Sequence, residues 1–325
     1  MSASPATLHF PHSRVLLPRT RLAYVHLRNL LSDAKRDRSA RISGYVAISL
    51  LEELVVLYLV RGEVANATVT DARSSHAIAI AGALEKIPVE PEYGDIAFNE
   101  ADEELLSCMF ESQSTPAEPW PDEMSVKDPT VLFPYLLSTT FDGVLEIIAN
   151  DHVSYLVFTN GTVARAYLSG AHQGTLVERV SKLFAREGRV GELRISRRRL
   201  PQRLPVQASP ALIQAYRELS GNLVQRLLDL GRETAPAIAE HARQNLVATH
   251  PSLDGFSFAG AQVKDPLAES EALTAGVAAW IRELMWAASD HESVAPDVLL
   301  RELTWDRRHL FQSAGLFSQV PWKVM

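Results

Sequence analysis

Two stretches of the sequence, 99 positions apart, determine the expected fold. The first, GYVAISLLEELVVLYLVRGEVANATV, covers residues 44–69, and the second, GVLEIIANDHVSYLVFTNGTVARAYL, covers residues 143–168. They align without a gap, and similarity at one fixed spacing indicates a repeated structural unit. We therefore interpret them as an internal repeat. The identical pairs are Gly44/Gly143, Ile48/Ile147, Leu57/Leu156, Gly62/Gly161, Val64/Val163, Ala65/Ala164 and Ala67/Ala166.

Each stretch has the pattern of three short strands joined by turns. The tighter turn is Arg61-Gly62 in the first copy and Asn160-Gly161 in the second. Asn-Gly between two β-rich runs predicts a hairpin, because both residues tolerate a positive φ. We therefore assign Gly62, Asn160 and Gly161 to structural turns. The predicted strands are 44–50, 54–60 and 63–69 in the first copy, and 143–149, 153–159 and 162–168 in the second.

Helices and a last strand complete each predicted copy. Apolar residues at helical spacing after the third strand of the second copy indicate a helix there. The run LVVLYLV at 54–60 is apolar on both faces, which predicts helices on one face and a second layer on the other. The sister repeat is one candidate for that layer. The predicted helices are 19–35, 74–86, an acidic helix at 98–112, 129–138 and 173–187, and the last strands are 94–98 and 190–196.

We predict an α+β fold in which two tandem antiparallel-sheet-plus-helix units precede an all-α domain. The units cover 13–112 and 129–200, and a proline-rich linker covers 113–128. Trp120 lies in this linker between two prolines, and we expect it to dock on a domain surface. Ser209-Pro210 is a good helix start, and apolar stripes after it predict about four helices over 207–325, the last at 296–314.

Composition limits the class of protein. The chain has 325 residues, a formal net charge of −7 and one cysteine, Cys108, which excludes an intrachain disulfide. We find no signal-peptide pattern and no apolar run long enough to span a bilayer, so we expect a cytoplasmic protein. The net negative charge argues against bulk attraction to nucleic acid.

Charge is unevenly distributed along the chain. Residues 1–44 carry eight Lys or Arg and two Asp or Glu, whereas residues 45–128 carry four and seventeen. The basic segment could pair with the acidic one within the chain, or form a charged docking face. A second basic cluster, Arg197 to Arg203, fits a solvated interdomain linker or a surface that binds nucleic acid or anionic lipid.

We find no catalytic motif in the sequence. A phosphate-binding loop, a nucleophile elbow and a His-Glu-x-x-His pair are all absent. His241 and His250 are nine positions apart and do not share a helix face, and Cys108 beside Met109 on an apolar stripe is typical of a core residue. We therefore predict no catalytic, cofactor-binding or metal-binding residues, and a protein that is not an enzyme.

The second copy resembles the PATAN-type domain, a family related to the N-terminal part of a cyanobacterial pattern-formation regulator. The first copy fits less well, because Arg61-Gly62 replaces Asn-Gly and Ala77 or Ile78 stands where a glycine is expected. The resemblance implies a non-enzymatic interaction module of bacterial signalling, motility or polarity systems. The residues that carry it are Gly143, Leu145, Ile147, Phe158, Asn160, Gly161, Val163, Ala166, Gly174, Gly188 and Leu193.

The leading hypothesis is a bacterial regulatory or adaptor protein that binds partner proteins not identified by the sequence, with a homodimer also open. One alternative is a small-ligand sensor or enzyme with a cleft between the repeats, or in the helical domain near His241, His250 and Trp280. Another is nucleic-acid or anionic-surface binding through Arg197 to Arg203. The candidate protein-binding residues are Trp120, Arg165, Tyr167, Phe317 and Trp322.

Overall fold

The computed structural model describes residues 8–36, 41–170, 174–185, 193–199, 203–257, 264–288 and 295–324. The chain divides into two compact units. The first contains Met1–Ile78 and Glu85–Pro205, and the second contains Ala79–Leu84 and Val206–Met325. The fold is α+β, with two antiparallel sheets in the first unit. Gly188 lies outside the described residues.

The first sheet is built from six strands in the order β1-β6-β2-β3-β4-β5. Helix α1 precedes β2, and helix α2 lies between β5 and β6, although residues 79–84 belong to the second unit. The strands predicted at 44–50, 54–60, 63–69 and 94–98 are confirmed. The bounds are β1 Arg14–Arg21, α1 Leu27–Arg36, β2 Gly44–Ser49, β3 Leu54–Val60, β4 Glu63–Thr70, β5 Ser75–Ala77, α2 Ile80–Glu85 and β6 Asp95–Glu100.

The second sheet contains four strands in the order β10-β7-β8-β9. Helices α4 and α5 cover the face that carries Leu145, Ile147 and Leu156, and they share its apolar core. The first three strands and both helices lie close to their predicted positions, whereas the last strand, predicted at 190–196, begins only at Arg194. Residues 190–192 of that prediction lie outside the described residues. The bounds from the end of the first sheet onward are α3 Glu103–Ser114, α4 Pro129–Ser138, β7 Gly143–Ala149, β8 His152–Thr159, β9 Thr162–Tyr167, α5 Leu176–Phe184 and β10 Arg194–Arg198.

The central strands of the two sheets correspond at the same 99-residue spacing. The order β6-β2-β3-β4 in the first sheet matches β10-β7-β8-β9 in the second. Arg61 and Gly62 have φ of 50° and 80°, and Asn160 and Gly161 have 49° and 73°. Each third strand begins after such a turn, and each hairpin has a register shift near the turn. The arginine therefore adopts the same backbone conformation as the asparagine.

The backbone at each turn is also held in the same way. The Gly62 amide donates to the Ile42 carbonyl at 2.7 Å, and the Gly161 amide donates to the Phe141 carbonyl at 2.9 Å. Side chains that precede the first strand complete the pattern. The Ser43 hydroxyl accepts from the Arg61 amide at 3.1 Å, and the Asp142 carboxylate accepts from the Asn160 amide at 2.7 Å.

Helix α3 connects the two sheets through a shared core. The carboxylate of Asp102 caps it by accepting a hydrogen bond from the Leu105 amide at 2.8 Å. Most of the helix is buried, and its apolar side chains belong to one cluster with residues of both sheets. The expected second layer on the LVVLYLV strand is thus α3 together with the second sheet. The shared residues include Tyr45, Leu54, Val56, Leu106, Met109, Val144, Tyr155 and Val157.

The N-terminal part of the first unit differs from the prediction. Residues 14–21 form β1, so the helix predicted at 19–35 begins only at Leu27. Pro18 and the arginines weaken the strand signal, but β1 pairs with β6 alone at the sheet edge, where a proline is tolerated. Residues 75–77 form β5 rather than part of a helix predicted at 74–86, because they pair with Thr68–Thr70.

The second unit is helical around one apolar core. Tyr216 and Trp280 are fully buried, and the Trp280 indole donates to the Ala239 carbonyl at 2.8 Å. The helix start predicted at Ser209 is confirmed, because its hydroxyl accepts from the Leu212 amide. Besides residues 79–84, the unit contains α6 Pro210–Asp229, α7 Ala235–Leu246, α8 Ser270–Ala288, α9 Pro296–Thr304, α10 Arg308–Ser313 and α11 Leu316–Gln319.

The helix predicted at 296–314 is interrupted. A short 3₁₀ turn, Trp305–Arg307, separates α9 from α10. The hydroxyl of Thr304 donates to the Leu300 carbonyl at 2.6 Å, and such back-bonding from threonine bends helices. The bend divides the predicted helix into two shorter ones.

Candidate functional site

A cleft of about 840 Å³ opens in the first unit, between the two sheets. The β2–β3 and β4–β5 turns of the first sheet form one side, and β7, β8 and β10 of the second sheet contribute the other. The last turn of α3 also reaches the cleft, through Ser112 and Gln113. Its volume lies in the range of small-molecule sites.

The N-terminal segment forms an apolar part of this cleft wall. Leu8 and Phe10 line the cleft on either side of His9. The His9 amide donates to the Asp151 carbonyl, and the Val153 amide donates to the His9 carbonyl, both at 2.8 Å. The His9 and His152 rings stack with centroids 5.1 Å apart. These contacts fix the segment against β8 and place Phe10 beside the cleft.

Gln113 is a buried polar residue on the cleft floor. Its side chain is only 5% exposed, and its Oε1 accepts hydrogen bonds from Tyr58 at 3.2 Å and from Thr68 at 2.6 Å. Within the described residues its amide nitrogen Nε2 has no hydrogen-bond partner. The fully buried, unpaired side-chain atoms of the described residues do not include Nε2, so this nitrogen keeps contact with solvent. Because Gln113 lines the cleft, Nε2 can donate a hydrogen bond to a molecule bound there.

Glu146 provides a second polar group in the same cleft. Its side chain is 12% exposed, and its Oε2 accepts from Ser196 at 2.8 Å and from Arg198 at 3.4 Å. The other carboxylate oxygen, Oε1, has no partner among the residues that the structure describes. The Arg198 guanidinium offsets part of the carboxylate charge, which leaves Oε1 as an available acceptor.

Register explains why Glu146 and Gln113 meet in one cleft. Glu146 lies opposite Tyr155 on β8, and the Tyr155 hydroxyl hydrogen-bonds to Ser112 at 3.0 Å. Burial raises the pKa of the Tyr155 phenol well above its usual value, so this phenol stays protonated. The position that corresponds to Glu146 in the first copy is Ala47. A glutamate within the apolar run GVLEIIA was the sequence signal for this site.

The rim of the cleft is more exposed and carries both charges. Asp71 accepts from the Arg73 and Ser74 amides at 2.7 and 2.8 Å, and these hydrogen bonds, that from Arg73 first, lower its pKa. Acidic residues exceed basic ones in the lining, which contains Glu52, Glu53, Asp71 and Glu146 against Arg73 and Arg194. This charge balance disfavours an anionic ligand.

Arg165 and Tyr167, two predicted protein-binding residues, contact the N-terminal end of α3. Arg165 forms a 3.0 Å ion pair with Glu104, and the Tyr167 hydroxyl donates to Glu104 at 2.6 Å. The same hydroxyl lies 3.1 Å from each carboxylate oxygen of Asp102. The acidic side chains at the start of α3, within the acidic helix predicted at 98–112, thus join β9 to α3.

Trp120 docks on the second sheet, as the sequence predicted. Its indole donates to the Ile195 carbonyl at 3.2 Å, and its ring contacts Tyr135 edge-to-face. The Arg197 guanidinium lies 4.7 Å from the centroid of the ring. Trp120 is partly buried, and these contacts stabilise the position of the linker against β10.

The interpretation of Arg197 to Arg203 as a solvated linker is wrong for its first residues. Arg197 and Arg198 belong to β10, and Arg198 is 8% exposed. Arg198 donates to the Thr115 carbonyl at 2.8 Å, and Arg197 donates to the Pro119 carbonyl at the same distance. Arg199 lies 3.4 Å from Glu118. The Arg197 and Arg198 guanidinium groups are therefore poorly placed to bind phosphates, whereas the Arg199 side chain is 88% exposed.

The remaining candidates of the sequence analysis lie in the second unit. Phe317 and Trp322 are partly buried against its core, and Trp280 is fully buried in it. His241 is exposed and His250 is half-buried. None of these residues lines the cleft, which belongs to the first unit.

Two exposed tryptophans of the second unit were not among the predicted binding residues. Trp286 at the end of α8 is 58% exposed, and Trp305 after α9 is 66% exposed. Arg282 lies 5.6 Å from the Trp286 ring centroid. Tryptophan is usually well buried and is enriched at binding hot spots. Their exposure depends on where the helices pack, which local sequence does not reveal.

The basic N-terminal segment pairs with acidic strands of its own unit. Arg14 lies 2.8 Å from Glu100, Arg19 lies 2.9 Å from Asp95, and Lys35 contacts Glu63. Of the two interpretations of the charge asymmetry, these contacts favour pairing within the chain. The pairs are exposed, so each contributes little to stability.

The described residues show no cluster suited to a metal ion. Groups of three or more His, Cys, Asp or Glu in a metal-binding arrangement are absent from them. Cys108 is fully buried in α3, as predicted for a core residue, and burial raises the pKa of its thiol. A protonated buried thiol is a poor nucleophile.

Comparisons with known proteins give no relative for this chain: no family model, curated protein or solved structure matches it. Among the helices of the described segments, none combines the length and the apolar character needed to cross a bilayer.

Proposed function

We propose that this chain is a non-enzymatic bacterial regulatory or adaptor protein that binds other proteins in a signalling, motility or polarity system. In this proposal two tandem PATAN-like units, the first diverged, precede a domain of about four helices. The observation that carries it is the common strand order of the two sheets, with equivalent turns at the 99-residue spacing. A cytoplasmic location belongs to the same proposal.

The contacts of the predicted binding residues favour a different surface for partner binding. Arg165, Tyr167 and Trp120 are engaged within the first unit, so their side chains serve its packing. Trp286 and Trp305 expose more than half of their surface. We therefore place partner contacts on these two tryptophans of the second unit.

In-cell cross-linking of the tagged full-length chain, followed by mass spectrometry, tests the proposal. We expect the same partner proteins to be recovered repeatedly, and recovery to fall about tenfold when Trp286 and Trp305 are both changed to alanine, as for loss of a binding hot spot. Tyr24→Ala, which removes an aromatic side chain that is 77% exposed in the first unit, is the matched control. Recovery of the protein alone would contradict the adaptor function.

A second candidate function is small-ligand sensing through the cleft. The specific observation in its favour is the pair of buried polar groups on the cleft floor, Gln113 and Glu146, each with one atom that has no partner among the described residues. A regulatory protein can use such a ligand to alter partner binding. Nucleic-acid binding has no comparable support, because Arg197 and Arg198 are engaged within the unit.

A further inference from the structure

We propose that the cleft of the first unit binds a small neutral molecule with an amide-type edge, in which an N–H donor lies beside a C=O acceptor. Carboxamides, lactams and pyrimidine bases have such an edge. This inference deepens the second candidate function and rests on it. It does not depend on the adaptor function.

The first step is the complementarity of the two floor groups. Among the described residues, Gln113 Nε2 and Glu146 Oε1 have no hydrogen-bond partner. An amide nitrogen can only donate, and a carboxylate oxygen accepts. In this proposal a ligand with adjacent C=O and N–H groups bridges these two atoms, which belong to residues that line the same cleft. Gln113 is 5% exposed and the Glu146 side chain is 12% exposed, so a ligand that fills the cleft would shield both hydrogen bonds from most of the solvent.

The orientation of Gln113 is fixed before any ligand binds. Tyr58 and Thr68 both donate to its Oε1, and Tyr58 also packs edge-to-face on Phe110 of α3. Glu146 is held in a similar way by Ser196 and Arg198. A preorganised donor and acceptor lower the entropic cost of binding.

The charges of Glu146 and Arg198 explain why we expect a neutral ligand. The Arg198 guanidinium at 3.4 Å partly neutralises Glu146 and would repel a cation placed beside it. An anion would be repelled by the same carboxylate. A neutral amide avoids both penalties and still satisfies the two hydrogen-bonding atoms.

The apolar wall provides the remaining contacts. Phe10, Ile148 and Val153 line the cleft near the floor, and Leu51 stands at the opening, where it is 70% exposed. A planar ring attached to the amide edge would bury apolar surface against this wall. The cleft volume of about 840 Å³ admits a molecule of nucleoside size.

Ligand-observed NMR with saturation transfer tests the proposal on the full-length chain. The probes are benzamide and uracil, which carry the amide edge, and benzoate, which has the shape of benzamide but no donor. We expect both amides to bind and benzoate not to bind. The proposal is overturned if neither amide binds, or if benzoate binds as tightly as benzamide.

Variants of nearly unchanged shape locate the binding site. Gln113→Glu keeps the acceptor for Tyr58 and Thr68 but removes the free donor, and Glu146→Gln replaces the carboxylate with an amide. Each is expected to weaken amide binding about tenfold, as for loss of one hydrogen bond in a buried site. Glu92→Gln, an exposed residue outside the cleft, is the matched control. Unchanged affinity in both cleft variants would overturn the assignment.

A third variant distinguishes loss of ligand binding from loss of folding. Leu51→Trp enlarges an exposed side chain at the opening of the cleft and leaves the buried network intact. It should retain the melting temperature of the parent and lose amide binding. Retained binding in this variant would place the ligand elsewhere. If the amide probes do not bind, the ligand proposal fails, but the cross-linking experiment still tests the adaptor function. The two proposals can therefore be rejected independently.

Discussion

At the scale of single residues, the two hairpin turns depend on glycine. Gly62 and Gly161 have positive φ, and a Cβ at either position would collide with backbone of the preceding helix. At Gly161 the collision is with the Leu136 carbonyl oxygen and the Leu137 Cα, each 2.5 Å away. The residue before each glycine also has positive φ, which asparagine tolerates better than arginine.

Gly161→Ala should therefore destabilise the first unit. Left-handed backbone is unfavourable for alanine, and the clash with α4 adds to that cost, so we expect the free energy of unfolding to fall by at least about 2 kcal/mol. Urea unfolding followed by circular dichroism measures the change.

Gly82→Ala is the control for Gly161→Ala. Gly82 lies in α2, and no atom lies within 4 Å of a Cβ built there. Alanine is a better helix former than glycine, so this variant should be neutral or more stable by up to about 1 kcal/mol. Equal losses in the two variants would contradict the account of the turn.

At the scale of elements, α3 matters most because both sheets contact it. Its N-terminal end meets β9 through Asp102 and Glu104, and its C-terminal end meets β3, β4 and β8 through Ser112 and Gln113. The same helix therefore joins the sheets and supplies part of the cleft floor.

Asp102→Ala should destabilise α3 from its first turn. The variant loses the hydrogen bond from the Leu105 amide and one partner of Tyr167, and loss of a helix cap costs about 1–2 kcal/mol. Asp102→Asn keeps a capping oxygen and should lose less. Thermal unfolding of the two variants measures the difference, and an unchanged melting temperature in Asp102→Ala would contradict this role of the cap.

The strands of the repeats were predictable because their signals are local. Alternating or continuous apolar runs and a two-residue turn are sufficient to indicate β2, β3, β4 and their counterparts β7, β8 and β9. The strand β1 was missed because its stability comes from pairing with β6, about 80 residues along the chain. Helix α3 was predicted to begin at 98, within β6, because acidic residues run through the junction.

The cleft could be predicted only as a general possibility. The duplication predicted a cleft between the repeats. The polar residues of the cleft floor, however, come from different elements, Gln113 from a helix and Glu146 from a strand. Neither residue forms a motif with its neighbours in the sequence. The contacts of Arg165, Tyr167 and Arg197 within the unit could not be predicted either. Each of these residues contacts a partner that lies more than 60 residues away in the chain.

At the scale of the whole molecule, the structure separates two compact units. The first contains the repeated sheets and the cleft, and the second contains the exposed Trp286 and Trp305. Two sheets with matching strand order share one core through α3, and the cleft lies between them. The central claim is that the two sheets form one cooperative body. If they do, a ligand on the cleft floor is bound by parts of a single folded unit.

Native-state hydrogen exchange on the full-length chain tests this claim most directly. Met109 of α3 is fully buried in the shared core, and Met109→Ala should cost about 2–5 kcal/mol, whereas Met109→Leu nearly conserves the volume and should cost less than about 1.5 kcal/mol. We predict that Met109→Ala lowers the protection of the Leu57 amide in β3 and of the Leu156 amide in β8 by the same amount. A loss of protection confined to one sheet would contradict the claim.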